Sequence, residues 1–173
     1  MLILVSGGAA SGKSAFAEEL IVRSGLERRV YLATMQVWDK ESERRVDRHR
    51  AMRAGKGFET VERPLDLAGV TLPPDSAVLL EDLTNLTANE FFGPQGADGA
   101  LERLTAGLDR AVAAPALLVA VTGELFSDGA AYEAETAAYL RCLAGLNRAA
   151  AERAERVYEV VCGIPVAWKG ERI

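Results

Sequence analysis

The stretch Gly7-Gly8-Ala9-Ala10-Ser11-Gly12-Lys13-Ser14 constrains this chain more than any other. It fits G-x-x-x-x-G-K-[ST] at every fixed position, the pattern of a loop that cradles phosphates. Backbone N–H groups of such a loop curl around the β- and γ-phosphates, and glycine lets the backbone approach without a Cβ in the way. Lys13 is expected to place a positive charge at those phosphates and Ser14 to offer its hydroxyl to Mg²⁺. The following helix turns its positive N-terminal end toward the anion. Both flanks agree with this reading. Leu2-Ile3-Leu4-Val5 is a continuous apolar run, as in a strand covered on both faces. Phe16, Ala17, Leu20 and Ile21 recur at helical spacing, and Gly25 sits where a helix stops. The competing reading, a glycine-rich turn in an unrelated strand–turn–helix unit, leaves the Lys-Ser pair unexplained.

The rest of the chain alternates strands and helices, which predicts an α/β fold of the P-loop NTPase type. Its three layers hold a mostly parallel central sheet, and one nucleotide-binding domain spans residues 1–173. Val30–Thr34 is the second strand, so Ala33, Thr34 and Met35 leave the sheet on the edge that carries the phosphate loop. Phe58–Glu62 alternates like a short strand closed by Pro64. Pro73-Pro74-Asp75-Ser76 turns into Ala77–Asp82, an apolar strand tipped by two acids. One acid at such a tip helps to hold Mg²⁺, and Glu81 and Asp82 both qualify. Thr84 to Phe92 reads as a short helix, and a second helix through Leu101, Leu104, Leu108 and Val112 ends before Pro115. The strand Leu117–Thr122 opens into a polar loop from Gly123 to about Ala131, placed to border a second substrate. A helix around Tyr139, Leu143, Leu146 and Ala150 precedes Val157–Cys162, read as the last strand. Cys142 and Cys162 have neither metal-ligand nor disulfide spacing and are expected to be buried.

The net charge of −5 argues against a nucleic-acid partner. No apolar run approaches the ~20 residues of a membrane span. The first strand follows Met1 without a leader segment, so the cytoplasm is the expected compartment.

The only histidine, His49, lies in Arg44-Arg45-Val46-Asp47-Arg48-His49-Arg50-Ala51-Met52-Arg53. Read as a helix, Arg45, His49 and Arg53 share one face. Five arginines and a single acid surround the imidazole in sequence, a field that disfavours imidazolium and keeps the ring neutral and nucleophilic. The same arginines suit a triphosphate. A solvated charged helix with an incidental surface histidine is the other reading, and spacing alone leaves the two open.

A phosphate loop implies a nucleoside triphosphate and Mg²⁺ and little more. No Asn-Lys-x-Asp guanine-reading tetrapeptide is present, and a small single domain with covering loops favours small-molecule phosphoryl transfer. The ordered blocks narrow this further. Gly-Gly-Ala-x-Ser-Gly-Lys-Ser, then Tyr31-Leu32-Ala33-Thr34, then Arg-[Val/Ile]-x-x-His-Arg at Arg45 to Arg50, resemble the adenosylcobinamide kinase/adenosylcobinamide-phosphate guanylyltransferase family. Thr60-Val61-Glu62-Arg63-Pro64 and Leu79-Leu80-Glu81 look like its next two blocks.

That resemblance implies a bifunctional enzyme of cobalamin biosynthesis. It phosphorylates adenosylcobinamide with ATP or GTP, and then transfers GMP from GTP to adenosylcobinamide phosphate through a guanylylated histidine. By resemblance, His49 is the nucleophile and Lys13 the second catalytic residue. Gly7, Gly8, Ala9, Ala10, Ser11, Gly12, Lys13, Ser14, Ala33, Thr34, Met35, Arg50, Ala51, Met52, Arg53, Glu62 and Glu81 line the nucleotide site. Ser14 and Glu81 hold Mg²⁺, and the assembly is a homo-oligomer, a trimer. Two departures stand out. Ala10 replaces a frequent arginine, and Gly123-Glu124-Leu125-Phe126-Ser127-Asp128-Gly129 replaces Asn-Glu-Val-Gly-x-Gly-Ile, retaining only Glu124. The second bears on the corrinoid substrate and the kinase step. A P-loop kinase without guanylyltransferase activity and a non-catalytic nucleotide-binding regulator are the alternatives.

Overall fold

The structure is a computed structural model that describes residues 1–36, 44, 51, 53–125 and 132–171. Seven strands form one sheet in the order β3-β2-β4-β5-β1-β6-β7. They are β1 (Leu2–Gly7), β2 (Arg28–Ala33), β3 (Phe58–Glu62), β4 (Ser76–Glu81), β5 (Leu117–Gly123), β6 (Arg156–Val161) and β7 (Ile164–Lys169). The first six run parallel, so their C-terminal ends share one edge. Helix α1 (Lys13–Arg23) follows β1, and α2 (Leu83–Phe91) and α3 (Ala100–Ala113) follow β4. Helix α4 (Ala134–Arg153) connects β5 to β6.

Side-chain alternation along the strands sorts the core into two clusters. Leu2, Leu4, Leu32, Val78, Leu80 and Leu118 pack under α2, α3 and α4, against Leu86, Leu104, Leu108 and Leu146. Ile3, Val5, Tyr31, Leu79, Val119 and Val121 face the other way, against Ala17, Leu20 and Ile21 of α1. Covering both faces explains why the central strands are uninterrupted apolar runs. The register sets Val5, Val121 and Glu81 in one row across β1, β5 and β4. Glu81 therefore arrives at the edge where the Gly7–Ser14 loop leaves β1.

Three expectations are corrected. The chain does not end its sheet with Val157–Cys162: β6 stops at Val161, and Cys162 (φ +50°) and Gly163 (φ +81°) form a two-residue turn into the antiparallel β7. Both central residues in the left-handed region give the twist that a tight hairpin needs. Pro165 reads as a strand breaker, yet an edge strand tolerates it. Cys162 is consequently exposed at the turn, whereas Cys142 is buried as expected. Asp82 is not the last strand residue but the N-cap of α2, its Oδ1 accepting from Asn85 N at 2.7 Å. Of the charged block Arg44–Arg53, read above as a helix through Arg45, His49 and Arg53, only Arg44, Ala51 and Arg53 belong to the described residues, and all three are helical. The loop after Leu125 lies outside them as far as residue 131.

Candidate active site

The phosphate loop is held from three sides. Glu124 N donates to Gly7 O (3.1 Å), Gly163 N to Ser11 O (2.8 Å), and Ser11 N to Gly8 O (3.3 Å). The β6–β7 turn thus braces the loop from outside, a contact that the sequence did not announce. Gly7 has no room for a side chain, since a Cβ there would lie 2.7 Å from Val160 O. Gly12 takes φ +94° and caps α1 with no side-chain acceptor. The first amides of α1 are therefore left for an external partner, as an anion-binding helix start requires. No acid stands in the first turn of α1 to compete with that anion. Lys13 folds back over the loop, its Nζ donating to Gly8 O at 3.0 Å. Ala9 and Ala10 form the exposed crest of the loop.

Ser14, in the first turn of α1, donates its hydroxyl to Glu81 Oε1. Glu81 is only 7% exposed. Burial pushes its pKa up to about 7, against the Ser14 hydrogen bond, with the Asp82 and Glu18 charges adding to the rise and Arg53 opposing it. A buried carboxylate beside a hydroxyl, held near neutrality, is a hard-oxygen pair that suits Mg²⁺. Asp82 spends its carboxylate on capping α2, so the geometry favours Glu81 of the two acids.

The exits of β2 and β3 are tied together next to this pair. Thr34 is buried, its Oγ1 donating to Asp82 O (2.9 Å) and accepting from Asp82 N (2.7 Å). Asn89 Nδ2 donates to Thr34 O (2.8 Å) and Pro64 O (3.0 Å). Thr34 is thus committed to the protein framework, while Ala33 and Met35 stay half-buried and Glu62 is exposed at the end of β3. Ala51 is exposed. Arg53 is buried, its guanidinium carbon 3.2 Å from the centre of the Tyr31 ring. Burial, with the Glu81 charge, raises the Tyr31 phenol above its ordinary range. His49, Arg50 and Met52 lie outside the described residues.

Sequence reasoning passed over Glu18, Lys56 and Asn89. Glu18, one turn after Ser14, is buried against the sheet and meets Lys56 Nζ at 2.5 Å. Its signal was available: an acid inside the apolar stripe of α1, beside Ala17 and Ile21. Lys56 and Asn89 carry no comparable signal, because their partners come from distant parts of the chain.

With this geometry in hand, comparison with known proteins narrows the reading. A family model described as cobinamide kinase / cobinamide phosphate guanyltransferase matches residues 3–168. The bifunctional adenosylcobalamin biosynthesis protein CobU of Salmonella typhimurium is 36% identical over 185 residues, spanning 98% of this chain and 100% of that protein. Its Escherichia coli namesake is 38% identical over the same length and coverage. The bifunctional adenosylcobalamin biosynthesis protein CobP of Pseudomonas aeruginosa is 37% identical over 173 residues, covering 97% of each. Among solved structures, the flagellar accessory protein FlaH of Methanocaldococcus jannaschii is similar with a TM-score of 0.46 and 12% identity, over 98% of this chain and 78% of that one. This chain belongs to the cobinamide kinase / cobinamide phosphate guanyltransferase family.

Proposed function

We propose that one phosphate cradle serves two successive transfers. In the first, the aminopropanol hydroxyl of adenosylcobinamide attacks the γ-phosphorus of ATP or GTP: an O–P bond forms as the bond to the β,γ-bridging oxygen breaks, the nucleoside diphosphate leaves, and the hydroxyl proton passes to solvent. In the second, an imidazole nitrogen of His49 attacks the α-phosphorus of GTP, a P–N bond forms, and pyrophosphate leaves. A phosphate oxygen of adenosylcobinamide phosphate then displaces the histidine from that phosphorus, giving adenosylcobinamide-GDP. The loop amides and the uncapped start of α1 orient the triphosphate, and Lys13 neutralises charge that grows on its oxygens. Ser14 and Glu81 would hold Mg²⁺, whose charge offsets that of the β- and γ-phosphates. Arg50 and Arg53 supply further positive charge from the block that carries the nucleophile, and a neutral imidazole makes that nucleophile competent.

The observation that carries this reading is the convergence of Lys13, Ser14 and Glu81 at an uncapped helix start. The histidine–arginine block follows the neighbouring strand β2. In support of a corrinoid site near the phosphate loop, the Glu124 amide at the end of β5 donates to Gly7 O. We also propose a cytoplasmic homo-oligomer, a trimer. Supporting it, edge strand β7 leaves Ile164, Val166 and Trp168 exposed on one face. Among the described residues no helix is long and apolar enough to cross a membrane.

The test is covalent labelling. Incubation with GTP carrying ³²P at the α-position is expected to leave acid-labile label on the wild-type protein and none on His49→Ala. Absence of label on wild type at saturating GTP contradicts the guanylylation step, leaving a kinase.

A further inference from the structure

We infer that Gly163, in the turn between β6 and β7, is a positioning residue whose amide aims the phosphate loop at the nucleotide. This inference rests on the proposal above that the loop holds the triphosphate. Gly163 N donates to Ser11 O at 2.8 Å. Ser11 Oγ is buried with no hydrogen-bond partner among the described residues, so the carbonyl and not the side chain anchors Ser11 to the hairpin. The same hairpin closes behind both glycines that the loop pattern requires. A Cβ on Gly7 would lie 2.7 Å from Val160 O, and one on Gly12 would lie 3.4 Å from Gly163 Cα and 3.8 Å from Val160 Cγ1. Burial does not account for the hairpin. Within one subunit Ile164 and Trp168 of β7 are 67% and 70% exposed, and of the strand's side chains only Ala167 packs on the core.

The direction of the Gly163 hydrogen bond gives it a role. A trans peptide unit is planar, so its C=O and N–H point to opposite sides. With the Ser11 carbonyl held by Gly163, the Gly12 N–H in the same peptide plane is turned away from the hairpin. Gly12 is the N-cap of α1, so this N–H lies next to the first amides of that helix. The Gly7 carbonyl is held in the same manner by Glu124 N at 3.1 Å, which turns the Gly8 N–H away from the end of β5. Neighbouring parts of the sheet thus fix one peptide plane at each end of the loop. Setting these planes before the nucleotide arrives lowers the ordering cost of binding. The turn holds this geometry because Gly163 takes φ +81°, a conformation that most side chains resist. A Cβ at Gly163 would meet nothing within 4 Å beyond its chain neighbours, so substitution there perturbs backbone conformation without a clash.

The test is a set of Kd measurements for GDP with Mg²⁺, each paired with a melting temperature. Gly163→Val, whose branched side chain resists a left-handed backbone, is expected to raise the Kd about tenfold, the worth of one hydrogen bond. Gly163→Asn keeps the amide and tolerates that backbone, and is expected to stay within about threefold of wild type. Gly170→Ala is the comparison. Gly170 lies just past β7 with φ +82°, and a Cβ there would sit 2.9 Å from Glu155 O. That variant is expected to melt earlier with the Kd of wild type. An unchanged Kd in Gly163→Val, Gly163→Asn as weak as Gly163→Val, or the same rise in Gly170→Ala overturns the inference. If Gly163→Val does not fold, hydrogen exchange in the wild type decides. Binding and the brace are linked, so GDP is expected to slow exchange at the Gly163 amide about tenfold, and not at Gly170. An unchanged rate at Gly163 overturns the inference. A wild type that binds no nucleotide contradicts the phosphate-cradle reading and this inference with it. A wild type that binds GDP with no response at Gly163 contradicts this inference alone.

Discussion

The two faces of the sheet bury acids in opposite ways. Under α2–α4, Glu90 is buried with both oxygens used: Oε1 accepts from Asp66 N at 2.6 Å and Oε2 from Arg103 Nε at 3.3 Å. Arg103 continues to the carbonyls of Gly96 (2.8 Å) and Asp98 (2.7 Å), so that network is closed. On the α1 face, Ser11 Oγ, Glu18 Oε1 and Arg53 Nη1 are buried without hydrogen-bond partners among the described residues. Each such group costs about 1–3 kcal/mol unless something satisfies it. One face is complete as a core, and the other keeps polar capacity next to a phosphate loop. Both faces carry apolar core, but among the described residues the unsatisfied buried polar groups gather on the α1 side.

Substitutions on each side should then separate rate from stability. The largest expected effect is that of Lys13→Met. It should cut both phosphoryl transfer and histidine labelling by about a thousandfold, because a charge aimed at the transferred group is lost. Its melting temperature should barely move, since among the described residues the one side-chain hydrogen bond that Lys13 makes is to a loop carbonyl. Leu108→Ala, on the closed face at 0% exposure, should do the reverse. Urea unfolding is expected to register a loss of about 3–4 kcal/mol from the cavity, with the KM for GTP unchanged. A shift in that KM would break the division between the faces.

Glu81→Gln gives the smallest effect and a directional one. In the folded protein without nucleotide the Glu81 carboxyl keeps its proton to about pH 7, above its ordinary value of 4.5, chiefly because it is buried. A raised folded-state pKa stabilises below the unfolded value, and that contribution is lost as pH climbs through about 7. Between about pH 5 and pH 8, wild type should therefore lose at most about 3 kcal/mol relative to Glu81→Gln. Paired urea titrations at the two pH values check the sign. Saturating Mg²⁺ and nucleotide should reverse it by stabilising the ionised carboxylate of wild type alone.

The fold was largely legible because its central strands are unbroken apolar runs and its helices repeat apolar residues at 3.6-residue spacing. What escaped was β7, since Pro165 masks an edge strand whose hairpin turn rests on two left-handed residues. Around the proposed site, the placement of Gly7 to Ser14 between strand and helix, and of Glu81 at a strand end, was readable because short local patterns encode both. The choice between Glu81 and Asp82 was not, because it depends on which acid caps α2 and which one meets Ser14. The Glu18–Lys56 pair and the Asn89 clamp join segments 38 and 55 positions apart, and no local spacing encodes such contacts.

The central claim, two transfers on one cradle with separate requirements, is tested most directly by the products of His49→Ala. Given adenosylcobinamide, GTP and Mg²⁺, that variant is predicted to accumulate adenosylcobinamide phosphate and to form no adenosylcobinamide-GDP. Formation of adenosylcobinamide-GDP at the wild-type rate would contradict the account.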